Sequence, residues 1–160
     1  DDFQLPFDIR PKTAADNDSL RALFRDSVLT LGRPHYEADA LAAWATTADD
    51  ADFCNQLDQG TTLVAELYGE TAGFAQLYPH DTLRMLYLSP KASGLGIAAL
   101  LYQHLEDEAR LAGVDTLHTA SSLAAEHFFS DMGFSRTASE TVTRQGQPLP
   151  RQQMSKPLHS

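Results

Sequence analysis

The stretch LYLSPKASGLGIAALLYQHL, residues 86–105, joins an apolar strand-like run to an apolar helical run through a seam holding Ser93, Gly94 and Gly96. From Gly96 to about Ala112, the residues Ile97, Leu100, Leu101, Leu105 and Ala109 recur at helical spacing, and Gly113 follows as a stop. A helix that starts at such a seam presents unpaired N–H groups and the positive end of its dipole, so it can hold a phosphate without a lysine. By spacing, GLGIAA (94–99) also mimics the dinucleotide fingerprint, with Asp115 near the place of a ribose-binding carboxylate. Against that, SPKAS separates the glycines from the strand, and too few residues follow for a doubly wound sheet. No G-K-[S/T] follows, which excludes a nucleoside-triphosphatase loop. A plain glycine-capped loop stays open on these residues alone.

The chain around the seam has 160 residues, 42% hydrophobic and 21% charged, which suits one domain spanning 1–160 that buries roughly two-thirds of its unfolded surface. No run of about 18 apolar residues occurs, and the first residues carry neither a basic flank nor an apolar stretch of signal type. A cytoplasmic protein with no membrane contact is expected. The single cysteine, Cys54, can form no internal disulfide and no multi-cysteine zinc site, and a lone Cys is usually a small buried hydrophobe. A net charge of −10 argues against a nucleic-acid surface. It suits a cationic amine substrate through long-range attraction, or it serves only solubility. The six histidines show no metal-ligand spacing, so no metal is expected.

Outward from the seam, FDIRPK (7–12) reads as a strand stopped by Pro11. A helix follows, with Asp16, Asp18 and Ser19 as candidate caps, Leu20, Leu23, Phe24, Val28 and Leu31 on one face, and Gly32 as its stop. EADALAAWA (37–45) and DDADFCNQLDQG (49–60) read as two shorter helices. Residues 61–79 form a hairpin about Gly69-Glu70, and TLRMLYLSP (82–90) is the next strand. After the seam helix come a strand (114–122), a helix (123–133) and two strands about Gly146. The order β-α-α-α-β-β-β-α-β-α-β-β implies a mixed α/β sheet, with antiparallel hairpins on either side of a parallel crossover.

Two stretches together resemble the GCN5-related N-acetyltransferase (GNAT) family. The family's cofactor signature, [Q/R]-x-x-G-x-[G/A], falls on Ser93, Gly96 and Ala98, and its later pattern, N-x-x-A-x-x-F-Y-x-x-x-G-F, falls on Ser122, Ala125, Phe128, Phe129, Gly133 and Phe134. The sequence departs from the family at Ser93, at Ser122 and at Phe129, which stands where a tyrosine often protonates the departing thiolate. The resemblance implies a mostly antiparallel six- to seven-stranded sheet flanked by helices and splayed between strands 4 and 5. It also implies acetyl-coenzyme A as co-substrate, direct attack by a primary amine in a ternary complex, and pairing of two copies in many members.

On that resemblance, the main chain of Leu86, Tyr87 and Leu88 is expected to hold the pantetheine arm. The N–H groups of Gly94, Leu95, Gly96, Ile97, Ala98 and Ala99, beside Ser93, would hold the pyrophosphate, with Ser122, Phe128 and Phe129 completing the cofactor site. Asp81 and His80 are the nearest candidate bases, with His118 and Glu66 behind them, and Tyr87 or Ser122 can replace the missing tyrosine as proton donor. His35, Tyr36 and Trp44 are candidates for the acceptor site. Two other readings stay open: an acyl-coenzyme A sensor of the same fold that transfers nothing, and a small nucleotide-binding domain.

Overall fold

The computed structural model describes residues 7–158. Among them, seven strands form one sheet in the order β1-β2-β3-β4-β5-β7-β6. The strands are β1 (Phe7–Pro11), β2 (Thr61–Leu67), β3 (Glu70–Leu77), β4 (Thr82–Leu88), β5 (Thr116–Ser122), β6 (Ser135–Arg144) and β7 (Gln147–Pro157). The helices are α1 (Asn17–Leu31), α2 (Ala38–Ala45), α3 (Phe53–Leu57), α4 (Ile97–Leu111) and α5 (Glu126–Asp131). All neighbouring strands run antiparallel except β4 and β5. The element order is the one expected from the sequence. No helix among the described residues is long and apolar enough to cross a membrane.

Alternation along the strands divides the core between the two sheet faces. Leu20, Leu23, Phe24 and Val28 of α1 pack with Leu41, Phe53, Leu57, Val64 and Phe74 on one face. Ile97, Leu101, Leu105 and Ala109 of α4 pack with Leu83, Leu117, Phe129, Phe134 and Met154 on the other. Gly32 ends α1 as expected, because a Cβ there would lie 2.7 Å from the Val28 carbonyl oxygen. Asp16 does not cap α1 with its side chain. It closes the preceding turn, accepting the Thr13 N–H at 2.8 Å and a two-pronged contact from Arg10 at 2.8 Å.

Other boundaries shift for local reasons. The first hairpin turns on Tyr68 and Gly69, both with positive φ, and Glu70 already pairs with Leu67. α3 is a single turn anchored by Phe53 and Leu57, since Thr46–Asp49 forms a separate 3-10 turn and Asp50 is extended. α5 begins at Glu126 rather than 123; residues 123–125 form a turn before it, in which the Leu123 N–H donates to the Tyr36 hydroxyl and the Ala125 N–H to Ser122.

β4 and β5 are in register only at Thr82↔His118 and Leu83↔Thr119. Beyond that point β4 stays with β3 and β5 with β7, so the sheet opens into the expected splay. A bulge starts the divergence: Gln76 opposes Met85 while Leu77 opposes Leu83, leaving Arg84 as the extra residue and sharpening the local twist.

Candidate active site

The open edge of β4 is the first part of the site. The Ser89 N–H donates to the Ala72 carbonyl at 2.8 Å. Alternation therefore turns the N–H and C=O groups of Leu86 and Leu88 into the gap, and those of Tyr87 back toward β3. The chain then makes a 3-10 turn, Pro90–Ala92, and reaches α4 through Gly94 and Gly96, both at φ +81°. That left-handed geometry is steep for any residue with a Cβ, and a Cβ at either position would meet nothing within 4 Å, so the space before the α4 N-terminus is open.

This edge and the α4 terminus line one cavity of about 490 Å³. Leu86, Tyr87, Leu88, Ser93, Gly94, Gly96, Ala98, Ala99, Ser122 and Phe128, all expected at the cofactor, line it. Three expected neighbours do not. Leu95 points outward at 56% exposed, the Ile97 side chain is buried in the core, and Phe129 faces the next cavity. Val28 and Leu31 of α1, with Met132, complete an apolar wall that sequence reading did not assign. Their positions follow helical core periodicity, so nothing local marked them out. No Lys, Arg or His lines the cavity among the described residues, so its donors for an anion are backbone N–H groups and neutral side chains such as Ser93, with Asp131 the charged residue on its wall.

A second cavity of about 250 Å³ lies deeper in the splay and shares Trp44, Leu86, Tyr87, Ser122 and Ala125 with the first. Its wall includes Tyr36, Phe129, Val142, Leu149, Pro150 and Arg151. Tyr36 and Trp44 stand with ring centroids 5.6 Å apart, and Trp44 and Tyr87 at 6.3 Å. The Tyr36 hydroxyl donates to the Pro150 carbonyl at 2.6 Å and accepts the Leu123 N–H at 2.9 Å, tying the α1–α2 loop to β7 and to the end of β5. His35, expected beside it, is exposed in an outer groove against Gln147 and Pro148 and does not reach this cavity. The β6–β7 residues were not singled out from the sequence, since they lie more than a hundred positions from Tyr36.

Burial raises the pKa of the Tyr87 phenol well above its ordinary range, and the Trp44 side chain offsets this only in part. Burial raises that of Tyr36 as well, against the Leu123 N–H and the Arg151 charge. Both are neutral O–H donors near neutral pH and neither is a base. Phe129 is buried against Phe128 and Phe134 at 5.4 and 5.2 Å and offers no hydroxyl.

The four sequence-derived base candidates lie outside both cavities. His80 and Asp81 sit in the β3–β4 connection, where Asp81 accepts from Thr82 at 2.9 Å and its carbonyl takes the His118 N–H. His118 points outward from β5, and Glu66 is paired with Arg10 at 2.6 Å near the β1 edge. Cys54, on α3, is half-buried and also lines neither. No group of three His, Cys, Asp or Glu side chains among the described residues is arranged to hold a metal.

A splayed sheet with an anion-ready helix N-terminus beside its open edge defines a class of acyl-coenzyme A-binding folds. The family model described as an acetyltransferase (GNAT) domain matches residues 33–156. The chain belongs to the GNAT acetyltransferase family. It is 28% identical over 139 residues to the uncharacterized N-acetyltransferase YafP of Escherichia coli (strain K12), covering 86% of this chain and 87% of that one. A GCN5-related N-acetyltransferase from Rhodopseudomonas palustris superposes with a TM-score of 0.91 at 32% identity over 94% of each chain. The PaiA N-acetyltransferase from Thermoplasma acidophilum, solved in complex with coenzyme A, superposes at 0.75 over 96% of this chain and 99% of its own. At 17% identity that last likeness speaks for the fold alone.

Proposed function

We propose that the protein transfers the acetyl group of acetyl-coenzyme A to a primary amine by direct attack in a ternary complex. The observation that carries this reading is the meeting of the two cavities at Leu86, Tyr87 and Ser122. The larger suits a long thiol cofactor with a phosphate end, and the smaller suits an acceptor entering from the opposite side. In this reading the pyrophosphate lies on the N–H groups at Gly94–Ala99 and the pantetheine amides pair with Leu86 and Leu88 as a further strand would. The outward N–H of Leu86, where the two cavities meet, polarises the thioester carbonyl and receives the oxyanion as the amine adds. Collapse of that intermediate breaks the C–S bond, and the Tyr87 O–H gives its proton to the departing thiolate, filling the part that Phe129 cannot play. With no carboxylate or imidazole lining the smaller cavity among the described residues, the amine loses its proton to water.

The absence of a tyrosine at 129 and of an acidic base in the cavity also favours a second reading, a sensor that binds acyl-coenzyme A without turning it over. Calorimetric titration with acetyl-coenzyme A, followed by thiol release with a panel of amines, decides between them. Binding with amine-dependent thiol release supports transfer. A stable complex inert to every amine class supports the sensor, and no binding overturns both.

A further inference from the structure

The charge of the smaller cavity is opposite to that of the chain. The whole sequence carries −10, yet no Asp or Glu lines this cavity among the described residues, and its charged lining residues are Arg84 and Arg151. Arg84 is bound by residues that do not line this cavity: its Nε donates to Gln76 at 2.7 Å, its Nη2 to Gln56 and Gln59 at 2.7 and 2.8 Å, and its guanidinium stacks over Tyr78 at 4.7 Å, with Nη1 left without a partner among the described residues. Arg151 is committed on one edge only. Its Nε and Nη2 share a single Glu140 oxygen at 3.1 and 2.8 Å, and Nη1 has no partner among the described residues. Arg151 lines the cavity together with Tyr36 and Tyr87.

An acceptor with a second cationic group finds no carboxylate in this cavity and meets two arginines there. A cavity of about 250 Å³ is also below the usual range for drug-sized ligands, so the part of the acceptor that it encloses is about as large as one amino acid. The remaining wall joins aromatic and aliphatic groups, among them Trp44, Tyr36, Tyr87, Val142 and Leu149, with the short hydroxyl side chains of Thr82, Thr119, Ser121 and Ser122. We infer that the acceptor is a small amine with an apolar or aromatic body and a carboxylate, and that Arg151 Nη1 is the group that selects it. This rests on the acetyl-transfer reading above. Glu140 acts against it by holding the other edge of the guanidinium, so Arg151 is a specificity determinant held in check rather than a free charge.

The test uses matched amines, L-phenylalanine against phenethylamine, with spermidine as the polycation, in thiol-release assays with acetyl-coenzyme A. Wild type is expected to favour phenylalanine over phenethylamine in kcat/KM by about tenfold or more, the scale of one charge-assisted hydrogen bond, and to use spermidine poorly. Arg151→Gln should bring that ratio to within about threefold of unity, the loss falling on the KM for phenylalanine. Glu140→Gln should lower the same KM, an opposite effect that a merely structural pair would not produce. Thermal melting confirms that both variants fold. Preference for spermidine or phenethylamine, equal effects of Arg151→Gln on both aromatic amines, or acetyl-coenzyme A binding with no response to either amine overturns the inference. Failure to bind acetyl-coenzyme A at all overturns the transfer reading itself.

Discussion

Tyr36→Phe removes one oxygen that joins three elements. The hydroxyl donates to Pro150 on β7 at 2.6 Å and accepts from Leu123 beyond β5 at 2.9 Å, while its ring packs edge-on to Trp44 at 5.6 Å. Phenylalanine keeps the ring contact and loses both hydrogen bonds. Each is worth about 0.5–1.5 kcal/mol. The Pro150 carbonyl regains water because that residue is exposed, whereas Leu123 is half-buried, so a total cost of about 1–2 kcal/mol follows. For a chain of this length that lowers the melting temperature by about 5 °C. Hydrogen exchange reads the same bond directly, because the Leu123 amide should lose protection while amides in β2 and β3 keep theirs. Loosening of the α1–α2 loop should raise the acceptor KM and leave acetyl-coenzyme A affinity within about twofold, since Tyr36 lines the smaller cavity alone. A melting shift below about 1 °C with unchanged Leu123 exchange would refute the view that this phenol latches the loop to the splayed strands.

Further perturbations test other parts of the site. Tyr87→Phe should lower kcat by about 10²-fold with little change in the KM for acetyl-coenzyme A, on the scale of one general acid; an unchanged kcat in steady-state kinetics assigns thiolate protonation to solvent. Gly96→Val places a β-branched residue at φ +81°, costing about 1–2 kcal/mol, and should weaken acetyl-coenzyme A binding about tenfold by titration as the first turn of α4 shifts. Asp16 is held at about 2 by hydrogen bonds from Arg10, against the cost of burial, with the Thr13 N–H helping. Its folded pKa lies below the unfolded 3.8, so its contribution is complete above about pH 5 and is lost as pH falls through about 2. Asp16→Asn should therefore flatten the acid limb of stability in denaturant titrations run from pH 5 to pH 2, and a limb of unchanged slope would remove Asp16 from the account.

The parts of this protein legible without a structure are those set by short-range physics. The spacing of Leu20, Leu23, Phe24 and Val28 announces α1, and the glycines at 94 and 96 announce a turn that ends in a helix N-terminus, because periodicity and positive φ are properties of a few adjacent residues. Boundaries slipped by a few residues where a turn precedes a helix, as at 123–125 ahead of α5. The resemblance carried by 93–98 and 122–134 implied a cofactor edge, and Ser93, Gly96, Ala98, Ser122, Ala125 and Phe128 line one cavity while Phe129, Gly133 and Phe134 do not.

The smaller cavity is different in kind. Its walls come from residues 36, 44, 87, 142 and 151, brought together by the bulge at Arg84 and the parting of β4 from β5. No window of sequence contains that arrangement. His80, Asp81, His118 and Glu66 were plausible bases on residue type, yet strand direction and ion pairing turn each of them away from the cavities. The chain's negative charge invited a cationic acceptor, and the cavity presents arginine instead. Composition sums charge over the whole surface, whereas selection depends on the few side chains that the sheet's divergence leaves facing inward. Local chemistry was therefore readable from the chain, and the specificity of the site arose from packing across it.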